Sequence, residues 1–151
     1  MKPRSLGRRL ALQYLFMADV NGFSGVETPE AFFLGQLQAE RERDDVEEPR
    51  PDLDPGRRRE AEGFARSLIL KVEECLESID REISQAADNW TVSRIAPIER
   101  NIIRLAAAEL RLGDSPRRVV LDEAVKLAKR FGDKDSSSFV NGVADRLSGG
   151  A

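Results

Sequence analysis

The chain has 151 residues, of which 40% are hydrophobic and 34% charged, and its formal net charge at pH 7 is −3. This composition is typical of one soluble globular domain that is long enough to bury a core. With no histidine and one cysteine, the chain cannot form a Ser-His-Asp triad, a Cys-His pair, a zinc finger or an internal disulfide. No segment reaches the roughly 20 apolar residues of a membrane span, and the N-terminus does not resemble a signal peptide, so we expect a cytoplasmic protein.

The N-terminal quarter of the chain predicts two helices. Apolar residues recur at three- and four-residue spacing over residues 6–17, which indicates an amphipathic helix that ends at Asn21. Thr28 is a typical N-cap and is followed by a proline, which favours the first helical position. We expect this second helix to end near Glu40.

An acidic segment follows. Residues 41–56 contain three prolines and almost no apolar side chains, so burial cannot offset the entropy of ordering them, and we expect a mobile loop. Residues 40–54 contain eight acidic residues and three arginines, which gives this segment a charge of −5. Because the whole chain carries −3, the rest of the chain carries +2. The overall charge is therefore a poor guide to partners.

The middle of the chain has a helical pattern that is longer than a typical globular helix. Apolar residues keep this pattern over residues 57–87, so we expect a break, near Glu77. Cys75 has core spacing within it and is predicted to be a buried thiol.

Three more helices are predicted in the C-terminal part. One opens at Pro97 and closes at Gly113, and Asp122 and Asp135 are the expected N-caps of the other two. No segment shows the alternation of apolar and polar residues that is typical of a β-strand. The fold class is therefore all-α, with about six or seven helices in a single domain over the whole chain.

The sequence offers little for catalysis. Its carboxylates are predicted to lie on solvent-exposed helix faces or in the acidic loop, where nothing would hold a catalytic geometry. The short glycine-containing segment at residues 22–25 lacks the lysine and the preceding strand of a phosphate-binding loop. We expect no enzyme, no metal and no cofactor.

Two basic regions remain as candidate binding sites. Lys2, Arg4, Arg8 and Arg9 come without any acid among the first ten residues, and a helix N-terminus adds backbone N–H groups that favour phosphate. The alternative is a solubilising helix start.

The second basic region spans residues 117–134, and Phe139 lies just beyond it. An aromatic ring beside basic residues can stack on an unpaired RNA base. However, Phe139 also has core spacing with Val143, so both interpretations stay open. The residues alone indicate a helical domain that binds RNA or protein.

Four segments are similar to those of the NusB family of transcription antitermination factors. They are ALQYLF at 11–16, WTVSRIAPIERNIIRLAAAEL at 90–110, VLDEAVKLAKRFG at 120–132 and SFVNGV at 138–143. The resemblance covers about residues 1–38 and 57–147.

The resemblance implies a non-catalytic, all-helical adaptor of two helical subdomains. Such an adaptor binds boxA-type RNA of ribosomal RNA leader transcripts together with NusE, a small-subunit ribosomal protein, and joins RNA polymerase with other Nus factors. Matching positions imply RNA contacts at Arg4, Arg8, Arg9, Phe16, Asp135 and Phe139. The two basic regions add Lys2 and Lys134 to this predicted RNA-binding set. Glu99 matches a family position on the NusE-facing side, and Arg104 lies nearby on the same helix, so both are predicted to face this partner. The alternative for Glu99 is an acid that only stabilises the first turn of a helix.

The chain departs from the family pattern at several points. Residues 5–7 interrupt the arginine run, Phe16 replaces a tyrosine, Ala108 stands where an aromatic is common, and Asp122 replaces the more usual asparagine. The acidic loop is longer than typical and is either inert or screens RNA. The alternatives to an RNA-binding adaptor are a helical protein-interaction module, with a homodimer as one form, or an accessory subunit of an rRNA methyltransferase.

Overall fold

The computed structural model describes residues 2–42 and 54–149, and within these ranges it contains seven α-helices and no strand. In chain order these are α1 (Pro3–Val20), α2 (Pro29–Arg41), α3 (Pro55–Glu74), α4 (Leu76–Ala86), α5 (Pro97–Leu112), α6 (Arg117–Phe131) and α7 (Ser136–Asp145), with a 3-10 turn at Val92–Arg94. The all-α fold class and the helix count are confirmed. Most of the predicted acidic loop lies outside the described residues. None of the described helices is both long enough and apolar enough to span a membrane.

The chain divides into two compact units, Met1–Ile69 and Leu70–Ala151, and the division falls within α3. This agrees with the two helical subdomains that the family resemblance implies. The grouping of both units into one domain stays a prediction.

In the first unit, aromatic side chains hold α2 against α1. The Tyr14 and Phe32 rings meet edge to face with their centroids 5.6 Å apart, and Phe33 packs against Phe32 in the same way at 6.3 Å. The Tyr14 hydroxyl donates to the carbonyl of Glu27 at 3.1 Å. The Thr28 hydroxyl accepts from the amide of Ala31 at 3.2 Å, which confirms the predicted N-cap of α2.

A buried arginine links the ends of α2 and α3. The Arg58 guanidinium donates to Glu40 at 2.9 Å, to Glu62 at 3.0 Å and to the carbonyl of Phe33 at 3.1 Å. Each of the three guanidinium nitrogens therefore donates to an oxygen, which compensates the burial of the cation.

Gly7 is a point of close approach between α1 and α3. A Cβ at this position would lie 2.7 Å from the carbonyl oxygen of Ala61 and 3.0 Å from the Phe64 ring. Because one contact is with backbone, the strain could be relieved only by moving a helix. Glycine at position 7 thus has a packing reason, although it interrupts the arginine run.

Gly7→Ala is expected to lower the free energy of unfolding by at least about 1 kcal/mol through overpacking. Urea denaturation followed by far-UV circular dichroism measures it. Gly63→Ala is the matched control, because a Cβ at this exposed α3 position meets nothing within 4 Å; this change should stabilise the protein slightly. Equal effects of the two substitutions would contradict the close approach.

In the second unit, α5 lies at the centre and packs against α4, α6 and α7. Every residue from Asn101 to Glu109 is buried. The helix ends at Gly113 in the left-handed conformation, with φ 73°, as predicted. Leu105 and its neighbours thus form the core that the other three helices share.

The predicted break in the long helical pattern is confirmed and lies at Cys75, two residues before Glu77. Three other local predictions were wrong in whole or in part. Cys75 is half-buried, not buried. The α6 helix begins five residues before Asp122, because its apolar stripe already includes Val120, which is 1% exposed. Asp135 does occupy the N-cap position of α7, but its side chain makes no capping hydrogen bond.

Candidate functional site

The N-terminal basic residues differ sharply in exposure. Lys2 and Arg4 are exposed at the start of α1. Arg8 is only 3% exposed and Arg9 only 8%. Of the four predicted phosphate contacts in this cluster, only the first two therefore present their side chains to solvent.

Phe64 on α3 is a partner of this cluster that the sequence did not indicate. The guanidinium carbon of Arg4 lies 4.8 Å from the centroid of the Phe64 ring, and that of Arg8 lies 5.3 Å from it. Both distances fall within the range of cation–π attraction. The ring can approach because Gly7, between the two arginines in sequence, carries no side chain.

Arg9 is held inside the first unit. Its Nη2 atom lies 3.3 Å from Oε1 of Glu40, whose other oxygen accepts from Arg58. To bind a phosphate, Arg9 would have to leave this shared carboxylate. Its position thus favours a structural role over the predicted phosphate contact.

Phe16 lies later on α1 and is 36% exposed, which is high for a phenylalanine. The opposite face of the same helix carries fully buried side chains such as Leu10 and Leu15. Phe16 is therefore accessible, as its predicted role requires.

The remaining predicted RNA contacts lie in the second unit, at the turn between α6 and α7. Lys134 and Asp135 are exposed there, and Phe139 is half-buried in the first turn of α7. Val140 and Val143 occupy the core positions of this helix, at 0% and 4% exposure. Part of the Phe139 surface consequently stays accessible to a ligand.

This turn, residues 132–136, is closed by hydrogen bonds around a buried serine. Ser136 is 2% exposed, and its hydroxyl accepts from the amide of Asp133 at 3.0 Å. The same hydroxyl lies 2.9 Å from Oε1 of Glu99 and 3.2 Å from Oδ1 of Asp133, so it can donate to either carboxylate. The Asp133 carboxylate also accepts from the amide of Asp135 at 2.9 Å.

Glu99 and Arg104, the two positions implied on the partner side, have different surroundings. Glu99 is half-buried in the first turn of α5. Arg104 is 6% exposed and donates to both carboxylate oxygens of Asp80 at 2.9 Å and to Asn101 at 3.1 Å. The position of Arg104 therefore supports an internal role and does not support the predicted contact with a partner.

The described residues offer no group of three or more acidic, cysteine or histidine side chains that could hold a metal ion. Phe64, Asp80 and Ser136 are the side chains that the sequence analysis missed. Phe64 contacts Arg4 and Arg8, Asp80 accepts from Arg104, and Ser136 donates to Glu99. In each case the two partners are at least 24 positions apart in the sequence. No spacing rule connects residues over such separations.

Known proteins resemble this chain over nearly its whole length. The sequence profile of the NusB family matches residues 6–148. The transcription antitermination protein NusB of Sorangium cellulosum is 37% identical over 97% of this chain and 92% of its own. That of Syntrophotalea carbinolica is 39% identical over 96% of this chain and 91% of its own.

Solved structures agree. NusB of T. maritima superposes with a TM-score of 0.72 at 31% identity and covers 97% of this chain and 92% of its own. A crystal structure of the antitermination factors NusB and NusE in complex with dsRNA matches with a TM-score of 0.72 at 25% identity, over 96% of this chain and 95% of that one. The chain belongs to the NusB family.

Proposed function

We propose that this protein is a non-catalytic transcription antitermination factor. It binds boxA-type RNA of ribosomal RNA leader transcripts together with NusE and supports processive transcription by RNA polymerase with other Nus factors. The full-length similarity to NusB proteins carries this proposal, and the related structure that holds NusB, NusE and RNA supports both partners. A protein that acts on nascent transcripts would work in the cytoplasm, and we expect it there.

The exposed cations and rings give the RNA contact a physical basis. Lys2 and Arg4 supply charge from the first unit, and Lys134 supplies it from the second. Such side chains neutralise phosphates and give no base preference by themselves. Phe16 and Phe139 offer ring surface, and stacking on an aromatic ring is a common way of binding unpaired bases.

Fluorescence-anisotropy titration of a short, labelled boxA RNA tests the proposal, with and without NusE and over a series of salt concentrations. We expect the affinity to increase with NusE. It should also fall as salt rises, because phosphate neutralisation releases counterions. An unlabelled duplex of the same sequence, used as competitor, tells whether the single strand is the preferred form.

Two results would contradict the proposal. One is the absence of binding under every condition, which would leave a helical protein-interaction module. The other is tight binding that survives high salt after Lys2, Arg4 and Lys134 are all replaced by neutral glutamine, since the phosphate contacts would then have no role.

A further inference from the structure

Ser136 shapes the turn that presents the second group of predicted RNA contacts. Its buried hydroxyl accepts from the amide of Asp133, and the amide of Ser136 donates to the carbonyl of Asp133 at 3.2 Å. A Cβ on Gly132 would overlap the Ser136 side chain, so the serine packs directly against the backbone of this glycine. The orientation of this hydroxyl and the path of the turn therefore depend on each other.

Glu99 reaches this turn from a different helix. Its Oε1 atom lies 2.9 Å from the Ser136 hydroxyl oxygen, although the two residues are 37 positions apart. Asp133 competes for the same proton at 3.2 Å. Since the hydroxyl has one proton and Glu99 offers the shorter distance, Glu99 anchors the start of α7 to the first turn of α5.

We propose that Glu99 is a positioning residue for RNA binding: through the Ser136 hydroxyl it holds the turn that presents Lys134, Asp135 and Phe139. This inference rests on the proposed function. It differs from the partner-side role that the family resemblance implies, because it acts within the chain alone and needs no NusE.

The sign of the expected effect separates positioning from simple electrostatics. Removing a carboxylate makes the protein less negative, and this alone should strengthen binding of an RNA polyanion. If Glu99 positions the turn, its removal should weaken binding in spite of the charge change. Glu77 is a suitable control, because it is an exposed acid in the first turn of α4, as Glu99 is an acid in the first turn of α5.

The experiment measures the boxA RNA affinity of the full chain without NusE. Glu99→Ala should weaken binding roughly three- to tenfold, which corresponds to the net contribution of one ordinary intramolecular hydrogen bond. Glu99→Gln keeps an acceptor oxygen that Ser136 can reach and should stay within about twofold of wild type. Glu77→Ala should leave the affinity unchanged or raise it slightly.

A double-mutant cycle tests whether the effect passes through the serine. Ser136→Ala should weaken binding as well, and adding Glu99→Ala to it should cause little further loss, because both changes remove the same hydrogen bond. If the loss of affinity in the double variant equals the product of the two single losses, the proposal is overturned. Circular dichroism and thermal denaturation identify any variant that has lost its fold.

Two outcomes overturn the positioning role directly. These are a Glu99→Ala variant that binds RNA as tightly as wild type or more tightly, and a Glu99→Gln variant that is as weak as Glu99→Ala. If wild type does not bind without NusE, the proposed function fails only when NusE does not restore binding, and the amide NMR resonances of residues 133–139 still decide whether Glu99 holds the turn. They should shift in Glu99→Ala and hold in Glu99→Gln and Glu77→Ala, and unshifted resonances in Glu99→Ala would refute it.

Discussion

Arg104→Met is expected to lower the free energy of unfolding by about 3 kcal/mol, the lower end of the range for breaking a buried ion pair from one side. The reason is the carboxylate that remains. Asp80 receives two hydrogen bonds from Arg104, and its own side chain is 27% exposed, so water compensates only part of the loss. Asn101, which is fully buried, also loses a donor.

Urea denaturation followed by circular dichroism measures this change. Arg81→Met is the matched control, because Arg81 is an exposed arginine on α4 beside Asp80, and its replacement should shift stability by less than about 0.5 kcal/mol. Replacing Asp80 by leucine in the Arg104→Met background should recover part of the stability, since no unpaired charge is then left behind.

The same variant decides between the two roles of Arg104. If Arg104→Met is as stable as wild type but binds NusE more weakly, the role implied by the family resemblance is right and the internal pair carries little free energy. If stability falls and the folded fraction still binds NusE normally, Arg104 is a structural residue. The geometry favours the second result.

Element boundaries could be predicted from the sequence where the cap chemistry is local. Thr28 with the proline that follows it, and Gly113 in its left-handed conformation, are fixed by residues within one helical turn. Asp122 failed as a cap because the helical pattern had already started before it. A residue type that can cap a helix is thus a weaker indicator of where the helix begins than the first buried position of its apolar stripe.

The candidate site was harder to predict because charge can be counted in a sequence and burial cannot. Arg8, Arg9 and Arg104 each look like surface cations in the sequence, but all three are buried. The residues that receive them, Phe64, Glu40 and Asp80, are brought near by tertiary packing. Only the fold determines which arginines remain available for RNA.

Phe139→Leu is expected to weaken binding of boxA RNA by about 1–2 kcal/mol, or roughly five- to thirtyfold in Kd, if the ring stacks on a base. Leucine keeps apolar volume for the half-buried part of the site, and Val140 and Val143 already fill the core positions of α7. The free energy of unfolding should therefore change by less than about 1.5 kcal/mol, as for other volume-conserving apolar changes.

Phe131→Leu is the matched control, because this half-buried ring lies at the end of α6 in the same unit and outside the predicted RNA-binding set. It should leave the RNA affinity unchanged. Anisotropy titration and urea denaturation of both variants separate the two interpretations of Phe139 that the sequence left open. A large loss of stability with unchanged affinity would identify the ring as a core residue. The buried part of the ring would then stabilise the fold, and its exposed part would not contact RNA.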